Sequence, residues 1–218
     1  MNKGDKMIQR AMTVEDAVMT DSRVLQKLNN LGINYDFVAA EKLEVVLKEN
    51  GIDFDFFVKQ IEGEQDFEGI EQIKTWSKKE IIKYIIREIH PFEINLIEKL
   101  DKELRELIHD HYLENGEQLF TIYETLLLIK AELVHHFSKE EIEFEEFLSD
   151  DNVDFSSLIA EHEKTIGLFD RIKYLSHDFS LKANYEKIKD VNEDLFKLDS
   201  DMRRHIYIEN EFLFKNQE

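Results

Sequence analysis

The stretch LLLIKAELVHHFSKEEIEF, residues 126–144, decides the class of fold. Its apolar side chains recur at steps of three and four residues, the spacing of one face of an α-helix. A histidine and a glutamate one helical turn apart interrupt that apolar face. The stripe consists of Leu126, Ile129, Leu133, His136, Glu140 and Phe144. We therefore predict a long helix whose core-facing side carries two polar groups.

Three further segments carry a stripe of the same kind, each interrupted by at least one histidine. The stripes are Ile82, Ile86, His90, Ile94, Ile97, Leu100 and Leu104; then Phe155, Leu158, His162, Ile166, Phe169 and Ile172; then Ile188, Val191, Leu195, Leu198, Met202, His205, Glu209 and Phe212. A capping-box pair, Ser77 and Glu80, precedes the first of these stripes. Polar turns at 115–116 and 149–152, with a polar connection before 184, predict helices over about 77–111, 117–148, 154–176 and 184–214. Short turns place neighbouring helices antiparallel, so the predicted fold is all-α, with an up-down-up-down four-helix bundle in residues 75–218.

Residues 1–62 are predicted to form a small helical domain of their own. Turn signals fall at LGIN, residues 31–34, and at ENGI, residues 49–52. The polar segment GEQDFEG, residues 63–69, is bounded by glycines and opens a predicted linker over residues 63–74. The chain therefore divides into an N-terminal domain, a linker and a bundle.

Composition excludes several classes of function. With 28 basic and 48 acidic residues the formal charge is -20, which argues against nucleic acid and anionic membrane surfaces as partners. The chain has no cysteine, which excludes disulfides, thiolate-held clusters and a cysteine nucleophile. The longest aliphatic run, residues 126–129, is far too short to span a membrane, and the first residues offer no apolar signal core. We expect a cytoplasmic protein.

The polar interruptions of the four stripes fall at one common height. Because a helix rises about 1.5 Å per residue, the distance from a turn sets the level. His90 lies roughly as far before the first predicted turn as His136 and Glu140 lie after it. Glu140 and His162 are equally far from the second turn, and His162 and His205 from the third. The six residues predicted to meet are His90, His136, Glu140, His162, His205 and Glu209.

The His-x-x-x-Glu spacing by itself is a weak signal in so glutamate-rich a chain. The shared height is the stronger argument, and it sets aside the other four histidines, His109, His111, His135 and His177. A ferritin-like site would use Glu-x-x-His pairs, but the two pairs present, ending at His109 and His135, lie at different heights. A core that holds its polar groups by hydrogen bonds alone remains the structural alternative.

Four imidazoles and two carboxylates suit a metal of intermediate hardness such as iron. Zinc sites usually need four ligands and calcium prefers oxygen alone. We expect two non-haem irons with two histidines each, bridged by both glutamates, and positions left for water, an oxo bridge or a small diatomic molecule. Glu93 is predicted to be a surface charge rather than a partner of His90. Pro91 predicts a kink or break beside His90.

With this ligand pattern the chain resembles the repair-of-iron-centres family, whose members are hemerythrin-like di-iron proteins. The resembling segments are Ile89-His90, AELVHHFSKEE at 131–141, AEHE at 160–163 and HIYIEN at 205–210. The family's ligands carry over to the six residues already chosen. TVEDAV at 13–18 and LGINY at 31–35 are similar to the family's small N-terminal domain. Asp36 and Phe37 stand where that domain usually has a cysteine pair, which removes any thiol role.

The resemblance implies a protein that helps restore iron–sulfur clusters damaged by oxidative or nitrosative stress, with iron donation as one route. Its partners would be iron–sulfur proteins as clients, and its state a monomer or homodimer. This describes a metal-binding repair protein more than a turnover enzyme. Two alternatives use the same centre: a redox enzyme acting on nitric oxide, and a hemerythrin-like protein that binds or senses oxygen.

Overall fold

The computed structural model describes residues 8–62, 70–149, 153–182 and 187–214. Across these ranges every regular element is a helix, apart from a one-residue antiparallel bridge between Thr13 and Lys42. The all-α class predicted from the sequence is therefore confirmed. Within the same ranges, no helix combines the length and the apolar character that crossing a bilayer requires.

The chain divides into two compact units, of which the first comprises Met1–Asp66 and Ser180–Lys182. It contains five short helices: α1 (Val14–Thr20), α2 (Arg23–Asn30), α3 (Tyr35–Val38), α4 (Leu43–Glu49) and α5 (Phe54–Glu62). Gly32 and Gly51 follow α2 and α4 with φ of 72° and 73°, a conformation that glycine adopts without strain. Both predicted turns of this region are therefore present. The core of this unit is apolar and includes Leu28, Leu47 and Phe57.

The predicted linker coincides only in part with the described residues, because residues 63–69 lie outside them. Its second half is not a loop. Ile70–Ile73 form a short helix, α6, and both isoleucines are buried in the core of the second unit. Apolar burial holds this segment in place.

The second unit comprises Phe67–Phe179 and Ala183–Glu218. Helix α7 (Lys78–Tyr84) starts with the predicted capping box, in which Ser77 and Glu80 each accept a hydrogen bond from the other's backbone N–H. A π-helical turn, Ile85–Ile89, leads into α8 (His90–Phe147). Helix α9 (Ser156–Leu175) follows, and then α10 (Lys187–Glu209), which ends in a second π-helical turn, Asn210–Phe214. The predicted start at Asn184 lies outside the described residues.

Helix α8 changes direction near its middle. His111 and Asn115 have non-helical backbone angles, and they separate a first arm (residues 90–110) from a second arm (residues 116–147). The hydroxyl of Tyr123 on the second arm donates to Asp101 on the first, so the two arms lie side by side. The turn predicted at Asn115 and Gly116 is therefore present, although it starts a few residues earlier.

Ion pairs between neighbouring helices show how they run. They are Asp101–Lys130 between the two arms, Glu132–Lys164 between the second arm and α9, Glu106–Lys187 between the first arm and α10, and Asp170–Arg203 between α9 and α10. Each of these helix pairs also meets at the predicted ligands. From the ion pair to that second contact, residue numbers rise along one helix and fall along the other. Each of these helix pairs is therefore antiparallel.

The predicted apolar stripes are buried except at four half-buried positions, Ile86, Ile94, Ile166 and Phe212. On the second arm all six predicted positions are buried. Ile86 and Phe212, in contrast, are only half-buried, and their neighbours Ile85 and Leu213 are buried instead. Ile85 follows the buried Ile82 by three residues and Leu213 follows the buried Glu209 by four, so both remain on the buried face of their helices.

Candidate metal centre

The six predicted residues converge inside the second unit. His90 comes from the first arm of α8, His136 and Glu140 from its second arm, His162 from α9, and His205 and Glu209 from α10. All six side chains are buried, and both glutamates have no exposed surface. The agreement in height that the sequence predicted is therefore present in the structure.

The six side chains form two overlapping groups that could hold metal ions. His90, Glu140, His205 and Glu209 make one group, and His136, Glu140, His162 and Glu209 make the other. Within each group, one ligand atom per residue lies within 4.8 Å of all the others. Both glutamates belong to both groups, whereas each histidine belongs to one. This is the arrangement expected for two metal positions that share two carboxylates.

The distances between donor atoms fit ligands of a common ion. Nε2 of His90 lies 3.1 Å from Oε2 of Glu140, and Nε2 of His205 lies 2.8 Å from Oε1 of Glu209. Nε2 of His162 lies 3.1 Å from Oε2 of Glu209. Two donors about 2.1 Å from one ion, at 90–110° to each other, would be roughly 3.0–3.4 Å apart. The residues present therefore fit a metal.

Two imidazole nitrogens face each other within this set. Nε2 of His136 and Nε2 of His162 are 3.1 Å apart. A hydrogen bond between them needs a proton on one nitrogen and a lone pair on the other, whereas a shared metal uses both lone pairs. Oε1 of Glu140 and Nδ1 of His162 are, in addition, buried without a hydrogen-bond partner among the described residues. Buried polar atoms of this kind call for an explanation, and a bound ion provides one for the carboxylate oxygen.

Carboxylates outside the six contact three of the four histidines from behind. Nδ1 of His90 lies 3.1 Å from Oε1 of Glu141, and Nδ1 of His136 lies 2.8 Å from Oε2 of Glu161. Such contacts put the Nδ1 proton on the carboxylate side and leave Nε2 free to bind metal. These three histidines therefore have their Nε2 atoms turned toward the centre, the orientation that ligation needs.

The third such carboxylate corrects one sequence prediction. Glu93, predicted to be a surface charge, has no exposed surface, and its Oε2 lies 3.1 Å from Nδ1 of His205 rather than near His90. Glu93 follows His90 by three residues on the same helix face and is buried, whereas Ile94, four residues after His90, is only half-buried. A pattern of steps of three and four allows either position, so it does not decide between them.

Pro91 neither breaks the helix nor exposes His90. The backbone N–H of His90 donates to the carbonyl of Ile85, five residues back, and the chain then continues as α8. Proline is tolerated in the first turn of a helix because its missing N–H has no partner to lose there. The π-helical turn therefore places His90 in the core, and the proline follows it directly.

Burial and neighbouring charges shift the ionisation of the metal-free centre. Burial, helped by His205 and His136, lowers the pKa of His90 to about 3. Burial also raises the pKa of Glu140 well above its usual range, with the nearby Glu209 adding to the effect. Burial likewise opposes charge on His205, but the carboxylates of Glu209 and Glu93 outweigh it and raise the pKa of His205.

Glu209 is the carboxylate that stays charged in this metal-free centre. Burial opposes its charge, but His205 and hydrogen bonds within the cluster lower the pKa of Glu209 well below the ordinary value. Protons held by His205 and Glu140 thus occupy the space where cations would bind. Metal ions would have to displace them, because ligands bind in their deprotonated form.

The other four histidines lie outside both groups, as predicted. His109, His135 and His177 are exposed, and His111 lies at the bend of α8 with its Nδ1 3.9 Å from Glu114. The exposure of His109 and His135 also removes the two Glu-x-x-His pairs of a ferritin-like site. Comparison of the chain with models of protein families and with curated proteins gives no match.

Proposed function

We propose that the second unit is a hemerythrin-like four-helix bundle that binds two iron ions and serves in the repair of iron–sulfur clusters. One observation carries the proposal: two groups, each with two buried histidines, share the same two buried carboxylates. The antiparallel helix pairs support the up-down-up-down arrangement. The resemblance of the quoted segments to the repair-of-iron-centres family supplies the biological role.

The ligand set favours iron over other biological metals. Imidazole and carboxylate together suit iron, whereas calcium and magnesium prefer oxygen alone and structural zinc sites close with four ligands. The acidic chain, with its formal charge of -20, favours the approach of cations. Bound iron would supply redox chemistry, Lewis acidity and a source of metal for a damaged cluster.

The protein's own groups prepare and shield the site. Glu93, Glu141 and Glu161 hold the rear nitrogens of three histidines. Glu140, whose pKa burial raises, would give up its proton to bind metal, whereas Glu209, whose pKa is lowered by His205, is already charged. The ring of Phe137 stacks on His90 with the centroids 3.9 Å apart, and that of Phe214 lies nearly parallel to His162 at 5.9 Å. These rings exclude water from the cluster and strengthen the electrostatic interactions within it.

Iron content tests the proposal first. Protein produced with ample iron should carry about two iron ions per chain, and less than about one per chain would refute it. His136→Ala should lose about one of the two iron ions, because His136 belongs to only one of the two groups. His135→Ala is the matched control, because this adjacent histidine is exposed and lies outside both groups. Equal iron loss in both variants would remove His136 from the site.

Donation of iron is tested with a client. The iron-loaded chain should restore the cluster of an apo iron–sulfur protein supplied with sulfide, and the His136→Ala variant should not. Steady-state consumption of nitric oxide with an electron donor, without cluster restoration, would support the redox enzyme instead. A reversible oxygen-dependent spectrum alone would support an oxygen carrier or sensor.

A further inference from the structure

The two proposed metal positions receive unequal support from the protein. We call them the His90/His205 position and the His136/His162 position, after the histidines that belong to each. They share Glu140 and Glu209, so the bridging carboxylates cannot make them differ in kind. The difference lies behind the histidines, at the Nδ1 atoms that point away from the centre.

Both histidines of the His90/His205 position are held from behind. Nδ1 of His90 contacts Glu141, and Nδ1 of His205 contacts Glu93, each at 3.1 Å. Glu93 has no exposed surface, so no solvent competes for its carboxylate, whereas the side chain of Glu141 is 45% exposed. A ligand histidine whose N–H donates to a buried carboxylate is more basic and better oriented toward its metal.

Only one histidine of the His136/His162 position has such a contact. Nδ1 of His136 lies 2.8 Å from Glu161, which is partly exposed, like Glu141, and which also accepts from Lys139 at 2.7 Å. Nδ1 of His162 is buried without a hydrogen-bond partner among the described residues. This position therefore lacks the support that its neighbour receives.

The missing contact affects the metal-bound state more than the metal-free state. A metal on Nε2 of His162 places the ring proton on Nδ1, where the buried N–H has no acceptor. Without metal the proton can sit on Nε2, which lies 3.1 Å from Nε2 of His136 and 3.1 Å from Oε2 of Glu209. Metal binding at His162 thus leaves an unsatisfied donor at Nδ1, whereas at His205 the contact of Nδ1 with Glu93 remains.

We propose that the His90/His205 position retains its iron while the His136/His162 position releases it, so that the latter is the donor position. This inference rests on the two-iron centre proposed above. It assigns Glu93 as the positioning residue of the retained iron. It also explains how one chain can give up metal while one ion keeps the two arms of α8 and helix α10 joined around the centre.

Release kinetics of iron(II) from the full-length chain test the inference. Mixing the iron-loaded protein anaerobically with excess ferrous chelator should give two phases, each of about one iron per chain, with rates about tenfold apart or more. Glu93→Gln should accelerate the slow phase by about 10–100-fold and leave the fast phase unchanged. Glu98→Gln, an exposed carboxylate on the same arm, is the matched control and should change neither phase.

A second variant assigns the fast phase without relying on Glu93. His162→Ala should keep about one iron per chain and lose the fast phase. A single phase in the unaltered protein, or acceleration of the fast phase by Glu93→Gln, would overturn the inference while leaving the two-iron centre in place. Loss of the slow phase in His162→Ala would reverse the assignment and so overturn it as well. Failure of the unaltered chain to bind iron would instead refute the proposed function itself.

Discussion

Replacement of Glu140 by leucine should stabilise the metal-free protein while it abolishes iron binding. Glu140 has no exposed surface, and burial raises the pKa of its carboxyl well above the usual range. Its Oε2 lies 3.1 Å from His90, but its Oε1 has no hydrogen-bond partner among the described residues. Without metal, the burial of this carboxyl therefore destabilises the folded protein.

The magnitude follows from three opposing contributions. Removing a buried unsatisfied polar atom gains about 1–3 kcal/mol, and losing the contact with His90 costs about 1 kcal/mol. Burial of a leucine side chain contributes about 1.5–3 kcal/mol, and packing strain from its different shape offsets part of this gain. We expect the free energy of unfolding to rise by about 1–3 kcal/mol. For a chain of this size that corresponds to a melting temperature about 2–10 °C higher.

The assay is thermal and urea unfolding of chelator-treated protein, together with iron analysis of untreated protein. Glu140→Gln is the control, because it keeps the shape and hydrogen-bonding capacity of the side chain but cannot bridge two ions. It should leave metal-free stability within about 1 kcal/mol and still lower the iron content. A Glu140→Leu variant that is less stable by more than about 1 kcal/mol and retains its iron would show a structural hydrogen-bonding role instead.

Three further predictions address pH, metal and packing. Burial raises the pKa of Glu93 from 4.5 to about 7, so between these pH values the folded protein binds a proton on Glu93 that the unfolded chain does not. The resulting stabilisation of the folded state is complete below pH 4.5 and is lost as the pH rises through 7. Relative to metal-free Glu93→Gln, the unaltered metal-free protein should thus gain up to about 3 kcal/mol between pH 7 and 4.5 in urea unfolding, and a constant difference would contradict the argument. Chelation should lower the melting temperature of the iron-loaded protein by about 5–10 °C if iron is present at about a hundred times its dissociation constant, and unchanged melting would favour a core held by hydrogen bonds alone. A Cβ on Gly116 would lie 2.6 Å from the Tyr112 ring, so Gly116→Ala should destabilise the protein. In a Tyr112→Ala variant the clash is absent, and the same substitution should stabilise the protein by about 0.5–1 kcal/mol through helix propensity. A change in the free energy of unfolding with the same sign in both backgrounds would refute the clash.

Much of the fold could be predicted because its signals are local. The Ser77 capping box, the turn glycines Gly32 and Gly51 and the buried stripe of the second arm of α8 each depend on neighbours within one or two helical turns. The height argument extended this to the site, since a constant rise per residue converts sequence distance into level. All six predicted ligands accordingly meet in the structure.

Other features could not be predicted because they depend on which of two adjacent positions the neighbouring helices cover. The first part of the bundle buries Ile85 rather than Ile86 and Glu93 rather than Ile94. Steps of three and of four residues both keep a side chain on one helix face, so the pattern allows either position and the neighbouring helices select one. The prediction that Glu93 is a surface charge was wrong for this reason.

The sequence by itself determined that the chain is helical, which polar residues enter its core and at what level they lie, because periodicity and rise are properties of a single helix. Only the tertiary structure decided how those residues combine. It paired His90 with His205 and His136 with His162, and it placed both glutamates in both groups. It also placed Glu93 behind His205, whereas Nδ1 of His162 has no hydrogen-bond partner among the described residues. These pairings depend on the rotation and register of neighbouring helices, which a one-residue shift changes and which no single helix encodes.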